Sequence, residues 1–114
     1  GDTAKISVGA TELTVPSSNQ HPGVEMLLAI RPEHIRVVRR ERSGGKANLL
    51  EATIVSVFFT GLQHQLYLRV DGWDPERQFH LRGTLPDHPY RAMALVEGQT
   101  VRLALPPERI QVLE

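Results

Sequence analysis

The sequence contains no cysteine. This absence excludes disulfides, thiolate nucleophiles and cysteine-ligated zinc, and it is more typical of an intracellular protein than of a small secreted one. Aromatic residues are sparse, with one tryptophan, two tyrosines and three phenylalanines among 114 residues. No apolar run approaches the roughly 20 residues that a membrane-spanning helix needs, and the N-terminus lacks the features of a signal peptide. The sequence therefore predicts a soluble intracellular protein.

Charge is balanced, with 13 basic and 13 acidic residues and a formal net charge of zero. No global field therefore favours nucleic acid, an anionic membrane or an acidic substrate. The sequence also lacks a phosphate-binding P-loop, a dinucleotide-binding glycine motif, a His-Glu-x-x-His zinc motif and a Gly-x-Ser-x-Gly nucleophile elbow. We expect no catalytic residue, no cofactor and no metal in this chain.

Two groups of polar residues are candidate binding sites. The histidines lack the spacing that would converge several ligands on one metal ion; they are His21, His34, His64, His80 and His88. The basic cluster consists of Arg36, Arg39, Arg40, Arg42 and Lys46. Single-stranded nucleic acid requires stacking aromatics beside such charges, and none is interleaved here. We expect a solvated loop or a protein contact, and no nucleic-acid partner.

The apolar segments are short, rich in Val, Ile and Leu, and closed by Gly or Pro within about ten residues. This rhythm predicts a small all-β domain with short strands and at most a single helical turn. A chain of this length supports one modest core. Since it begins Gly-Asp-Thr without methionine, we assign residues 1–4 to a linker or tag remnant. Residues 5–114 are then one domain from a longer polypeptide.

One segment occurs twice, because residues 23–38 return 75 positions later as residues 98–113. Seven of the 16 aligned pairs are identical. Each copy has a large apolar residue at three successive alternate positions, then a Pro-Glu pair, and then two more apolar residues at alternate positions. Proline cannot continue a strand ladder, so each copy predicts a strand, a bend and a second strand.

The Pro-Glu pairs, Pro32-Glu33 and Pro107-Glu108, allow two interpretations. The two glutamates could form an acid/base couple. Alternatively, each carboxylate could accept hydrogen bonds from the free backbone N–H groups of a proline-initiated turn. We expect the structural role. Lys46 and Asn48, beside a glycine pair, are weak candidates for holding an oxyanion.

The longest predicted strand, residues 49–59, is apolar on both faces. Alternation turns one row toward the core: Leu50, Ala52, Ile54 and Phe58. The opposite row consists of Val55, Val57 and Phe59. We interpret it as an interface, because an exposed apolar row is stabilised by contact with another surface. Gly61 should then adopt a positive φ. We further expect an inward Leu62, a short strand at residues 78–81 and a loop at residues 83–89.

These residues resemble the transport-associated OB (TOBE) domain. The resemblance rests on Ala-Ile-Arg-Pro-Glu-His-Ile from residue 29, on the long strand ending at Gly61, and on the closing Gly-strand-Pro-Glu unit from residue 98. It covers the chain from residue 5 onward, although Ala52 and residues 71–79 depart from the family pattern. The motif positions are Arg31, Pro32, Glu33, Gly61, Gly98, Pro107 and Glu108.

The resemblance implies an OB-like β-barrel that is the non-catalytic, C-terminal regulatory and dimerisation domain of an ABC importer ATP-binding subunit. Its implied partners are a second copy of the same subunit and, through an ATPase domain outside this chain, the membrane subunits of the transporter. ATP and magnesium would belong to that ATPase domain. The implied location is cytoplasmic, peripheral on the inner face of the cell membrane. The alternative is a small sensor domain for oxyanions such as molybdate or sulfate.

Overall fold

The computed structural model describes residues 3–9, 11–16, 27–38 and 48–113. Nine strands lie within these residues: β1 Thr3–Val8, β2 Thr11–Pro16, β3 Leu27–Ala29, β4 Arg36–Val38, β5 Asn48–Phe59, β6 Gln63–Val70, β7 Leu81–Pro86, β8 Thr100–Leu105 and β9 Gln111–Leu113. The short helix α1 is Asp87–Ala92. Two 3-10 turns, Pro32–His34 and Pro107–Arg109, are called here the first and second corner.

The strands form one large antiparallel sheet and two small ones. The large sheet has the order β4-β8-β5-β6-β7, whereas β1 pairs with β2 and β3 pairs with β9. Its inner face supplies the centre of the core, where Ile54, Leu68 and Leu103 are fully buried. The β1–β2 hairpin covers this core with Leu13 and Val15. The predicted all-β class is confirmed.

The two copies of the sequence repeat pair with each other across a local pseudo-twofold axis. Ala29 lies opposite Gln111 in the β3–β9 pair, and Arg36 lies opposite Ala104 in the β4–β8 pair. Adding 75 to Ala29 gives Ala104, and adding 75 to Arg36 gives Gln111, so the two pairings are images of one another. The first strand of each copy therefore joins the second strand of the other.

The corners themselves share one backbone conformation. Ile35 has φ −82° and ψ 122°, while Ile110 has φ −84° and ψ 126°. Both residues donate their N–H to the carbonyl of a corner proline, at 3.3 Å to Pro32 and 3.2 Å to Pro107. Both isoleucine side chains are buried. Each proline ends a strand, and each isoleucine anchors the resulting bend in the core.

A bulge in β5 corrects the predicted alternation. The register between β5 and β6 shifts between Ile54 and Ser56, so Val57 lies opposite the buried Leu66 and packs against the core. Val57 is therefore not part of an outward row with Val55 and Phe59. Phe58, expected inside, is 56% exposed. The extra residue exchanges the faces of Val57 and Phe58, whereas Phe59, at the end of the strand, is exposed as the alternation predicts.

The loop before β8 stabilises this bulge. Gly98, with φ 87°, donates its N–H to the carbonyl of Ile54 at 2.7 Å. The Glu97 carboxylate accepts the N–H of Val57 at 3.0 Å. Ile54 in turn donates to the carbonyl of Gln99 at 2.9 Å. These bonds satisfy backbone groups of the strand around its irregularity.

Three further sequence-based expectations were wrong. Leu62 is 83% exposed, because it lies in the turn after β5 rather than in the inward row of β6. Residues 78–80 are not in a strand; the strand β7 begins at Leu81. Residues 83–89, expected as a loop, contain the end of β7 and the start of α1. Short polar segments carry too few apolar residues for periodicity to place them.

Substituting Gly61 tests the turn between β5 and β6. Gly61 has φ 99°, as expected, and an added Cβ would meet no atom within 4 Å. The cost of a side chain is thus purely conformational, and Gly61→Val should lower the free energy of unfolding by about 1 kcal/mol or more in urea titrations. Gly83→Ala is the control, because its Cβ would make ordinary contact with Leu68 at 3.6 Å. Equal stability of Gly61→Val and the unsubstituted chain would contradict this description of the turn.

Candidate functional site

A small pocket of about 590 Å³ lies between the two corners. Its lining residues come from both copies of the repeat: Ala29, Ile30, Arg31, Pro32, His34, Glu108, Arg109 and Gln111. Since β3–β9 pairing places Ala29 opposite Gln111, the pocket follows directly from the pseudo-twofold pairing. We call it the corner pocket.

The corner pocket is rich in hydrogen-bond donors. Arg31 and Arg109 carry guanidinium groups, and Gln111 adds a side-chain amide. The Nδ1 atom of His34 is buried without a hydrogen-bond partner. Among the lining residues, two guanidinium groups stand beside one carboxylate, that of Glu108, and Glu33, which does not line the pocket, pairs with Arg31 at 3.9 Å. Such a set of donors suits a small anion.

The motif glutamates do not have the capping role expected from the sequence. Within the described residues, no backbone N–H donates to the carboxylate of Glu33 or Glu108, and both residues are exposed. Glu33 lies 3.9 Å from Arg31 in a solvent-exposed ion pair. Such pairs contribute little to stability. The corners are formed by proline and by backbone hydrogen bonds instead.

Asn48 is a structural residue rather than an anion ligand. Its Oδ1 accepts the N–H of Thr14 at 2.7 Å, and its Nδ2 donates to the carbonyls of Thr14 at 2.9 Å and Leu105 at 3.1 Å. Both amide hydrogens are therefore used: one attaches β2 to the large sheet, and the other joins β5 to β8 within that sheet. Binding an anion would leave two carbonyls without donors. The other sequence candidate, Lys46, lies outside the described residues.

The family model described as the TOBE domain matches residues 28–113. The matched segment runs from β3 to β9 and includes both corners. The chain belongs to the TOBE domain family. This confirms the resemblance drawn from the Arg-Pro-Glu corner, the long strand and the closing repeat.

The TOBE fold also has a structural neighbour among solved proteins. The structure of the cytoplasmic molybdate-binding protein ModG, with molybdate bound, superposes with a TM-score of 0.77 at 10% sequence identity. The alignment covers 91% of this chain and 77% of that chain. This likeness confirms the expected OB-like architecture. No curated protein sequence matches the chain.

The exposed apolar surface of this TOBE domain differs from the predicted row. Val55 and Phe59 are exposed as expected, at 39% and 60%. Phe58 and Leu62 join them, since the bulge and the following turn bring both to the surface. We call Val55, Phe58, Phe59 and Leu62 the apolar tip. Sequence alternation predicted the exposure of Val55 and Phe59, and the bulge and the turn account for Phe58 and Leu62.

A second polar cluster fixes α1 against the end of the barrel. His64 Nε2 donates to Asp87 Oδ1 at 2.8 Å, and the imidazole stacks on Tyr90 with ring centroids 3.8 Å apart. Arg91 lies 3.1 Å from the same carboxylate. The hydrogen bond from His64, followed by the charge of Arg91, lowers the pKa of Asp87 below its usual value. The sequence signal for this cluster is that His64 interrupts the alternating leucines Leu62, Leu66 and Leu68.

Among the described residues, the remaining histidines, His80 and His88, belong to no cluster of metal ligands. His80 Nδ1 accepts the N–H of Val70 at 2.9 Å, and its Nε2 donates to the carbonyl of Asp74 at 2.6 Å. His88 is exposed, and His21 lies outside the described residues. Within the described ranges, no group of three potential ligands converges on one point. In the same part of the chain, no helix is long and apolar enough to cross a membrane.

The Asp87 cluster predicts a pH-dependent contribution to stability. A carboxylate whose pKa is lowered by folding stabilises the native state above its unfolded pKa, near 3.8, and loses this contribution as the pH falls through the folded value. Asp87→Asn should therefore be less stable than the unsubstituted chain at pH 7, with the difference shrinking below pH 4 in urea titrations. Asp71→Asn, at an exposed turn position, is the control. A difference that is the same at pH 7 and pH 3 would contradict the prediction.

Proposed function

We propose that this TOBE domain is a non-catalytic regulatory domain that binds a small oxyanion in the corner pocket. The observation that supports the proposal best is the meeting of Arg31, His34 and Arg109 between the two corners. TOBE family membership agrees with a binding or regulatory role. It adds nothing to suggest a reaction at this site.

The scaffold around the corner pocket favours binding. Both corners are fixed by strand pairing on each side and by buried isoleucines, so the donors project from a rigid backbone. Because this backbone is already ordered, no entropy is lost in ordering it when an anion binds. Arginine is suited to this task, because its planar guanidinium can donate two hydrogen bonds to one oxyanion.

The structural neighbour suggests which anions to test first. ModG is named as a molybdate-binding protein. At 10% identity its ligand does not transfer to this chain. Tetrahedral dianions such as molybdate, tungstate and sulfate are nevertheless a suitable first panel, because each presents several oxygens to converging donors.

Calorimetric titration with this panel tests the proposal. We expect saturable binding of at least one tetrahedral dianion, and weakening by about tenfold or more in Arg109→Gln, since a charge-assisted hydrogen bond is lost. The matched control is Arg36→Gln, because Arg36 is an exposed residue of β4 that does not line the corner pocket. It should bind as the unsubstituted chain does.

Two results would contradict the corner pocket as the site. The first is the absence of heat and of NMR shifts with every anion at millimolar concentration. The second is binding that Lys46→Gln abolishes while Arg109→Gln leaves it unchanged. That result would place the anion beside the glycine pair singled out from the sequence.

The second candidate function is the regulatory and dimerisation role in an ABC importer ATP-binding subunit, and the apolar tip favours it. Phe59 and Leu62 are 60% and 83% exposed. Large apolar side chains exposed near one end of a strand are candidates for a contact surface, although Phe58 packs against Tyr67 and Phe59 against His64, on opposite faces of the sheet. In this setting the domain would lie in the cytoplasm at the inner face of the membrane, beside a second copy and below the membrane subunits. ATP and magnesium would bind to the attached ATPase domain.

Sedimentation velocity tests this candidate on the chain itself. A surface that joins two copies should produce concentration-dependent association, and replacing Phe59 and Leu62 by serine should abolish it without lowering the melting temperature. Replacing Val96, which is also 60% exposed, should leave association unchanged. A strict monomer at millimolar concentration would contradict self-association through the apolar tip.

A further inference from the structure

A second, larger cavity opens on another side of the core. This groove has a volume of about 1460 Å³. The β1–β2 hairpin forms one wall, and the segment from Gly72 to Arg82 forms the other. Its floor is apolar and is made by residues of the core and its margin: Ile6, Leu13, Leu28, Ile35, Leu105 and Ile110.

The walls of the groove are held at a fixed separation by a close backbone approach. A Cβ added to Gly9, in the turn after β1, would lie 2.5 Å from the carbonyl oxygen of Gly72 and 3.2 Å from Cα of Trp73. Real Cβ atoms do not approach backbone so closely. The glycine at position 9 therefore allows the hairpin to touch the opposite wall, which places Trp73 at the contact.

The wall formed by residues 72–82 is ordered before any ligand arrives. The imidazole of His80 connects the end of this segment to its beginning, since it accepts the N–H of Val70 and donates to the carbonyl of Asp74. Glu76 donates its N–H to Asp74 Oδ1 at 3.0 Å. Arg69 donates to the carbonyl of Pro75. A segment braced by four such bonds presents its side chains in one arrangement.

Three aromatic side chains line this groove. Tyr67 and Phe79 meet edge to face with centroids 4.8 Å apart, and Trp73 meets His80 edge to face at 5.7 Å. An edge-to-face pair covers a face of only one of its two rings, so ring faces remain for a further planar group, although Tyr67 also meets Phe58 edge to face at 5.5 Å. The scarcity of aromatics in the sequence makes their grouping notable: half of the chain's six aromatic residues line this one cavity.

Two arginines complete the lining. Arg77 and Arg82 both border the groove, and Arg82 lies opposite Tyr67 in the β6–β7 pair. Among the described residues, neither side chain has an ion-pair partner. Asp74 is the one lining carboxylate, and it already accepts the N–H of Glu76. The groove is thus aromatic and cationic at once.

We propose that this groove binds a planar aromatic ring that carries an anionic group, the chemistry shared by a nucleoside monophosphate and an aromatic carboxylate. The rings of Tyr67, Trp73 and Phe79 provide stacking surfaces, and Arg77 and Arg82 provide the charge. An inorganic anion would leave the apolar floor in water. A neutral aromatic compound would leave both arginines without a counter-charge.

The groove is separate from the corner pocket in its chemistry. The two cavities share only Ala29, Ile30 and Pro32, which carry no charge. Arg31 and Arg109 border the corner pocket alone, and Arg77 and Arg82 border the groove alone. Binding of an aromatic anion in the groove therefore does not depend on binding of an oxyanion in the corner pocket.

Trp73 is the only tryptophan in the chain, so its fluorescence reports on this groove. The full chain is titrated with adenosine 5′-monophosphate, benzoate, adenosine and inorganic phosphate. We expect saturable changes with the first two, and affinities at least about tenfold weaker for adenosine and phosphate, each of which lacks one of the two interactions. The tighter of the first two probes identifies the nucleotide or the carboxylate as the better ligand, and either order supports the proposal.

Arginine variants locate the binding. Arg77→Gln and Arg82→Gln should each weaken binding of the nucleotide by about tenfold, with unchanged melting temperatures because both side chains are exposed. Arg36→Gln, which borders neither cavity, should bind normally.

Three results would overturn the proposal. The first is no fluorescence change with adenosine 5′-monophosphate or benzoate at millimolar concentration. The second is unchanged binding in both groove variants. The third is tighter binding of an oligothymidylate than of any mononucleotide, which would make the groove a site for single-stranded nucleic acid instead.

Discussion

The antiparallel pairing of the two corner units is the constraint on which the rest of this TOBE domain depends. Each unit is a strand, a proline bend and a second strand, and each strand finds its partner in the other copy. This exchange joins segments 75 residues apart in sequence. It positions β8 between β4 and β5 and so sets the order of the large sheet. It also places the two bends side by side, which creates the corner pocket.

The repeat and the alternation of apolar residues were sufficient to predict the fold class, the two bends and the positive φ of Gly61. They could not predict the bulge in β5, because its unpaired backbone groups are satisfied by Glu97 and Gly98, about 40 positions away. The facing of Val57 and Phe58 depends on that bulge. The His64–Asp87 contact could not be predicted either, because it joins β6 to the helix α1, which no periodic pattern in the sequence indicated. Local patterns predict local structure, and distant hydrogen bonds decide which face a side chain takes.

The residues kept in both copies of the repeat and those that differ have separate roles. Prolines and isoleucines recur, since each copy needs the same bend and the same anchor. The polar positions diverge: His34 corresponds to Arg109, and Gln111, which lines the corner pocket, corresponds to Arg36, which does not. A symmetric scaffold therefore carries an asymmetric set of donors around one pocket. Asn48, the sequence candidate for that role, is instead needed to hold the hairpin, and the hairpin forms one wall of the aromatic groove.

A crystal structure of the chain grown with tungstate would test the corner pocket most directly, because the anomalous scattering of tungsten locates the anion. We expect an anomalous peak between the corners, within hydrogen-bond distance of the side chains of Arg31 and Arg109, with β3 paired to β9 and β4 paired to β8. A peak beside residues 46–48 with the corner pocket empty would contradict the assignment of the site. Corners that do not pair would contradict the architecture from which the site is derived.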